Sequence, residues 1–254
     1  MEINKVAVLG SGVMGSGIAA QVANAGHDVL LFDIVPDGAE DRNTVAKGAI
    51  DRMLKTDPAP LMHKRNARRI TPCNLTDDLD KLADVDWVVE VVIERLDIKH
   101  SVYKSIIPHL KDGAIVSSNT STIPLHMLVD GMPDDFAKRF CITHFFNPPR
   151  YMRLLEVVAG EKTDPEVIKT VSEFGDVKLG KGIVPCNDTP GFIANRIGTY
   201  WIQSAINHAY DMDMTVEEAD AIMGRPLGIP KTGVFGLMDL IGIDLMPHIS
   251  KSLT

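Results

Sequence analysis

The sequence predicts an α/β protein: a Rossmann-type, doubly wound, mostly parallel sheet over residues 1–186, followed by a smaller all-α domain over 187–254. Three observations carry this expectation. Short apolar runs alternate with helix-like stretches through the first 186 residues. The first run stops at a glycine cluster, Gly10-Ser11-Gly12-Val13-Met14-Gly15, that opens a helix-like segment. Past residue 186 the strand-like runs cease and helical segments take over. Strand–helix alternation favours parallel pairing through crossover helices.

Each element has its own local reason. Residues 5–9 are an apolar run, and 15–24 carry small and apolar side chains at helical spacing. Residues 28–32 form a second buried-strand run, closed by Asp33. A long polar, basic stretch, 37–69, reads as helical. Residues 87–93 are another strand candidate, 98–110 another helix, and 114–118 a strand running into Asn119-Thr120-Ser121. Residues 140–145 form a strand that delivers His144, and 153–158 one that carries Glu156. Asp188-Thr189-Pro190 reads as a helix start, a capping side chain with proline in the first turn, for a helix to about residue 210. Thr215-Val216-Glu217-Glu218 resembles a second cap, for a helix to about Met223. A loop rich in Gly and Pro covers 224–236, and 237–252 read as an apolar helix with little after it to pack on. This suggests an incomplete helical domain, as in a truncated chain or one piece of a longer polypeptide; the alternative is a small helical tail that folds back on the sheet.

Composition narrows the function classes. Of 254 residues 45% are hydrophobic, enough for a sizeable core. A net charge of −8 argues against nucleic acid or an anionic membrane as the main partner, while leaving room for a local anion site. The three cysteines form no CxxC pair and no zinc-like cluster, so reduced thiols and no metal are expected. There is no secretory segment and no run of 18 apolar residues, so a cytoplasmic protein is expected.

The glycine cluster has the G-x-G-x-x-G pattern within a βαβ unit. Gly10 allows the tight turn, Gly12 lets the backbone approach a pyrophosphate, and Gly15 lets helix and strand pack closely. Val13 and Met14 belong to the helix N-terminus, whose N–H groups and dipole suit phosphates. Asp33 follows Gly15 by 18 residues. A carboxylate there can accept from both ribose hydroxyls and would repel a 2′-phosphate, which favours NAD over NADP. FAD shares the fingerprint. The bland alternative is a glycine-rich turn with Asp33 as a helix cap.

From residue 117 onward more specific motifs accumulate. They are Ser118-Asn119-Thr120-Ser121, His144-Phe145-Phe146-Asn147-Pro148, Glu156, and the run from Asp188 through Thr189-Pro190-Gly191-Phe192-Ile193-Ala194 to Asn195-Arg196. With the glycine motif and Val89-Glu90-Val91-Val92-Ile93-Glu94, they stand in the order and spacing of the L-3-hydroxyacyl-CoA dehydrogenase family, and the resemblance covers nearly the whole chain. The continuation Pro149-Arg150-Tyr151-Met152 looks most like the long, multidomain members, in which an enoyl-CoA hydratase module accompanies the dehydrogenase.

The chemistry also follows from residue types. Oxidising an alcohol requires a base for the hydroxyl proton while hydride leaves to nicotinamide, and histidine suits that near neutral pH. His144 lies at the C-terminal end of a strand, where open α/β sheets bind ligands. Glu156 on the next strand can hold the imidazole in one tautomer. The resemblance implies further roles. Ser121 would meet the substrate oxygen, Asn195 would contact that oxygen or His144, Glu94 and Lys99 would reach the nicotinamide-side ribose, Asn119 would lie by the cofactor, and Asn147 would position the nicotinamide end. A basic stretch around Arg42, Lys47, Arg52 and Arg69 suits CoA phosphates, with Lys47 the single residue the resemblance favours. It also implies an acyl-CoA substrate and a homodimer through a complete helical domain. Two other readings fit parts of the pattern: a sugar-acid (gulonate-type) dehydrogenase without a CoA site, and a non-catalytic NAD-binding protein.

Overall fold

A computed structural model describes residues 2–228 and 232–243. The chain divides into two compact units, Met1–Asp188 and Thr189–Thr254.

The first unit is built on eight strands: β1 Lys5–Leu9, β2 Asp28–Asp33, β3 Ile70–Asn74, β4 Trp87–Glu90, β5 Ile115–Ser118, β6 Phe140–Phe145, β7 Leu154–Ala159 and β8 Gly182–Cys186. They form one sheet in the order β3-β2-β1-β4-β5-β6-β7-β8. The expected Rossmann-type architecture is therefore present. Central strands such as β1, β4 and β5 are buried along almost their whole length, because helices cover both faces of the parallel region. The chain leaves β1 toward β2 and β3, then returns to β4 on β1's other side, which creates a switch point between β1 and β4. Leu9 pairs with Glu90 at that point.

One pairing breaks the parallel pattern. Strands β6 and β7 run antiparallel, joined by residues 146–153 instead of a crossover helix. Their register sets His144 directly opposite Glu156. Helix α1 (Val13–Asn24) follows β1, α2 (Thr44–Met53) follows β2 and α3 (Leu96–Ile106) follows β4. Shorter α4 (Leu125–Leu128) and α5 (Asp134–Lys138) precede β6, and α6 (Pro165–Glu173) lies between β7 and β8. Trp87 and Phe174 meet edge to face in the core, with ring centroids 5.7 Å apart.

Several expected elements need correction. The long helix over 37–69 is broken: α2 ends at Met53, and after a loop containing Pro58 and Pro60 only a 3-10 turn, Lys64–Arg69, follows. Proline removes the helical N–H donor, and its ring clashes with the preceding turn. The strand over 87–93 stops at Glu90, and the helix over 98–110 is α3 plus a 3-10 turn, Ile107–His109. Strands β3 and β8 were not anticipated because each carries a proline, Pro72 and Pro185; both are edge strands, where a missing ladder donor is tolerated.

The second unit comprises α7 (Ala194–Asp211), α8 (Val216–Ile222) and α9 (Phe235–Ile241). Helix α7 does not begin at Asp188-Thr189-Pro190. Gly191 and Phe192 have φ of 74° and 44°, a left-handed pair incompatible with a helical turn, so the helix starts at Ala194. Asp188 instead accepts the Leu125 N–H at 2.9 and 3.0 Å, capping α4. Helix α8 has the expected cap: Thr215 and Glu218 exchange side-chain and backbone hydrogen bonds in a capping box. The Asp220 carboxylate accepts from Phe235 N (2.7 Å) and Gly236 N (3.0 Å), which binds the start of α9 to α8. The helix expected over 237–252 corresponds to α9, which ends before Gly242; residues 244–252 lie outside those described.

Candidate active site

The glycine loop lies at the switch point. Gly10 has φ 103°, and a Cβ there would meet Val91 O at 2.6 Å. A Cβ on Gly15 would meet Gly10 O at 1.8 Å, so α1 packs on β1 as closely as a backbone allows. Gly12 faces open space, with nothing within 4 Å of a Cβ position. It is also the N-cap of α1, and no side chain caps the helix. Val13 stands exposed beside it, while Met14 packs partly against the core. The N-terminal N–H groups are thus presented at an open, glycine-surfaced cradle, which fits a pyrophosphate.

Asp33, at the end of β2, is locked to this loop. Its Oδ2 accepts from Ser11 N (2.6 Å) and Ser11 Oγ (2.5 Å), and its Oδ1 from Ile34 N (2.7 Å). The carboxylate stays partly exposed, fixed at the rim where an adenosine ribose would follow the pyrophosphate. Ser11, an unassigned position of the motif, is the residue sequence reasoning missed here.

Beneath the rim lies a buried ion network. Glu90 is fully buried at the end of β4. Its Oε1 accepts from Lys99 Nζ (2.7 Å) and Val92 N (2.8 Å), and its Oε2 from Tyr103 and Ser118 hydroxyls, both at 2.7 Å. Lys99, equally buried, also reaches Glu94 Oε2 at 3.2 Å. Glu94 Oε1 gathers the segment after β5: it accepts from the Thr120 hydroxyl, from Thr122 Oγ1 (3.0 Å) and from Ser121 N (3.3 Å). Burial would raise the Glu94 acid, but Lys99 and the Thr120 and Thr122 hydroxyls outweigh it and hold the carboxyl below its ordinary value. Burial beside Glu90 pushes the Tyr103 phenol well above its usual range, so it remains a donor. Lys99 is therefore no surface lysine. Glu90, Tyr103, Thr120 and Thr122 went unassigned because their partners converge only in three dimensions.

Asn119 joins two strand ends: its N–H donates to Glu90 O (2.8 Å) and its Oδ1 accepts from Phe145 N (2.9 Å). His144, near the end of β6, is buried, and its Nδ1 lies 2.7 Å from Glu156 Oε2. A carboxylate only accepts, so Nδ1 carries the hydrogen, and the neutral ring keeps its lone pair on Nε2. The ring of Phe146 packs at 4.5 Å, edge on, against the imidazole. Ser121 follows the end of β5 by three residues, and His144 lies near the end of the neighbouring β6. Asn195 lies in the first turn of α7, in the second unit.

A cavity of about 400 Å³ opens beside the glycine loop, between α1, α2 and the segment after β6; Gly12, Gly17, Arg52, Asn147 and Arg150 help to line it. Lys47 is not among its lining residues and pairs with Asp41 at 2.6 Å on the surface. Arg42 and Arg69 are likewise matched by Asp77 and Asp28. Among the described residues no helix is long and apolar enough to cross a membrane.

A mostly parallel sheet with a glycine cradle and an uncapped helix N-terminus at its switch point is the arrangement of a dinucleotide-binding domain. Residues 5–189 match the NAD-binding domain of 3-hydroxyacyl-CoA dehydrogenase, and 191–254 its C-terminal domain. The chain belongs to the 3-hydroxyacyl-CoA dehydrogenase family. It is 49% identical over 253 residues to a probable 3-hydroxyacyl-CoA dehydrogenase of Deinococcus radiodurans, covering 100% of this chain and 73% of that one. It is 50% identical to a putative fatty acid oxidation complex trifunctional enzyme of Rickettsia felis, of which it spans 35%, with 99% of this chain covered. Its fold resembles the crystal structure of (S)-3-hydroxybutyryl-CoA dehydrogenase from Ralstonia eutropha, with a TM-score of 0.80 and 31% identity over 99% of this chain and 87% of that one.

Proposed function

We propose that the chain oxidises L-3-hydroxyacyl-CoA to 3-ketoacyl-CoA in fatty-acid β-oxidation, in the cytoplasm, with His144 as general base. The buried His144–Glu156 pair carries this reading. NAD, when bound, supplies the hydride acceptor. Glu156 holds the Nδ1–H tautomer and stabilises the imidazolium formed when Nε2 takes the hydroxyl proton, a device worth ~10²–10⁴ in rate. Ser121 and Asn195 direct the substrate oxygen toward the imidazole. The glycine loop holds the pyrophosphate and Asp33 the adenosine ribose. Glu94, Lys99, Asn119 and Asn147 orient the nicotinamide end. Lys47 meets the CoA phosphates, and the helical unit forms a homodimer.

The test is a substrate comparison with NADH: acetoacetyl-CoA, free acetoacetate and a free sugar acid's keto form. The expected result is NADH consumption with the thioester alone. Turnover of the sugar-acid substrate without the thioester would replace this reading with the gulonate-type one. Tight NADH binding without turnover of any substrate would replace it with the non-catalytic one.

A further inference from the structure

Lys181 lies between Gly180 and the start of β8, and the reaction as described makes no use of it. Its side chain is only 2% exposed, yet among the described residues it makes no ion pair with any carboxylate. The ammonium donates instead to two main-chain carbonyls, Pro149 O and, at 2.9 Å, Met152 O. Nζ also lies over the face of Phe145, 5.7 Å from the ring centroid. Burial alone pushes the ammonium down to about 8. A buried cation held by carbonyls is an expensive way to close a turn.

What it closes is one wall of the cavity. Both carbonyls belong to the segment after β6, whose Asn147, Pro148, Pro149 and Arg150 line that wall. The same segment presses on α1: a Cβ on Gly17 would meet Pro149 Cδ at 2.7 Å. It also grips the loop after α2, since Arg150 Nη1 donates to Ala59 O (2.6 Å) and Leu61 O (3.2 Å). The segment therefore touches the other two walls, and Lys181 is the only described side-chain donor to the Pro149 and Met152 carbonyls from the sheet side.

We infer that Lys181 is a positioning residue: its ammonium fixes the 147–152 segment against α1, and so sets the width of the cavity that receives the ligands. This rests on the reading of that cavity as part of the NAD and acyl-CoA site. The residue touches no reacting atom, so its loss acts on affinity and not on the chemical step.

The test compares wild type with Lys181→Met, Lys181→Arg and Gly17→Ala, using steady-state kinetics, calorimetric NADH binding and amide exchange. In Lys181→Met, KM for acetoacetyl-CoA and Kd for NADH should each rise about tenfold while kcat stays within about threefold, and Lys181→Arg should recover part of the loss. Amide exchange at Arg150, Tyr151 and Met152 should quicken in Lys181→Met without any ligand. That readout needs no turnover, so it stands even if acetoacetyl-CoA proves to be the wrong substrate. Gly17→Ala pushes the same segment from α1 and serves if Lys181→Met does not fold; it should raise KM in the same way. Unchanged KM, Kd and exchange in a folded Lys181→Met would overturn the inference, as would a fall in kcat alone.

Discussion

His144 and Glu156 face one another across β6 and β7, with Nδ1 and Oε2 2.7 Å apart. The antiparallel turn-back of β7 creates this relationship: a parallel return would have needed a crossover and a different register. The pair is buried, so the charge on Glu156 acts with little screening by water. Glu156→Gln keeps the shape but removes the charge and the fixed tautomer. We expect kcat to fall by ~10²–10⁴ with NADH affinity unchanged. Steady-state kinetics paired with calorimetry checks both halves; a loss confined to NADH binding would contradict the role.

Gly12 and Gly15 should respond differently to the same substitution. Gly12→Ala meets nothing within 4 Å, so the protein should fold normally and lose affinity for NADH, because the new methyl occupies the pyrophosphate's approach. Gly15→Ala drives a methyl into Gly10 O, at 1.8 Å. It should lower stability and NADH binding together, by more than about 3 kcal/mol in stability. Thermal melts beside calorimetry separate the two cases.

The Glu90–Lys99 pair is fully enclosed, and Glu90 answers four donors. Glu90→Ala leaves Lys99 with Glu94 alone and removes the acceptor of the Tyr103 hydroxyl and the Val92 N–H. A destabilisation of about 3–5 kcal/mol is expected, as for one partner removed from a buried ion pair. Urea denaturation measures it; a change below about 1 kcal/mol would mean that water replaces the lost acceptor.

Stability should also fall at alkaline pH. Burial pushes the Cys141 thiol up to about 12 and the Cys73 thiol to about 11, from an ordinary 9.0. Above pH 9 the unfolded chain releases these protons while the folded one keeps them, so unfolding gains up to about 1.4 kcal/mol per thiol per pH unit. Lys181 acts oppositely between about 8 and its ordinary 10.5, where the unfolded chain binds the extra proton. Denaturation midpoints across this range should therefore turn downward above pH 9. Replacing Cys141 with Ala should flatten that fall even though the variant starts less stable.

Much of this was legible in the sequence. The glycine loop, Asp33 and the strand that carries His144 are local patterns whose meaning lies in their spacing, and each lies where that spacing implied. The edge strands were hidden by Pro72 and Pro185, which look like breakers unless the strand's place in the sheet is known. The start of α7 misled for a similar reason: Asp188 has a capping side chain, but it caps α4, 63 residues away in sequence. Glu90 and Lys181 were illegible because a buried charge is defined by its donors and acceptors, which come from distant positions. The resemblance set Lys99 toward the ribose but gave no sign of its partner Glu90, onto which α3 turns it inward.

The role proposed for His144 is to take the substrate proton in an NAD-dependent oxidation of a 3-hydroxyacyl-CoA. Its most direct test follows NADH absorbance with acetoacetyl-CoA for wild type and His144→Ala, with NADH affinity measured in parallel. We predict oxidation by the wild type and a fall of at least ~10² in kcat for the variant, at unchanged NADH affinity. A variant that turns over at the wild-type rate would remove His144 from the chemistry and contradict the account.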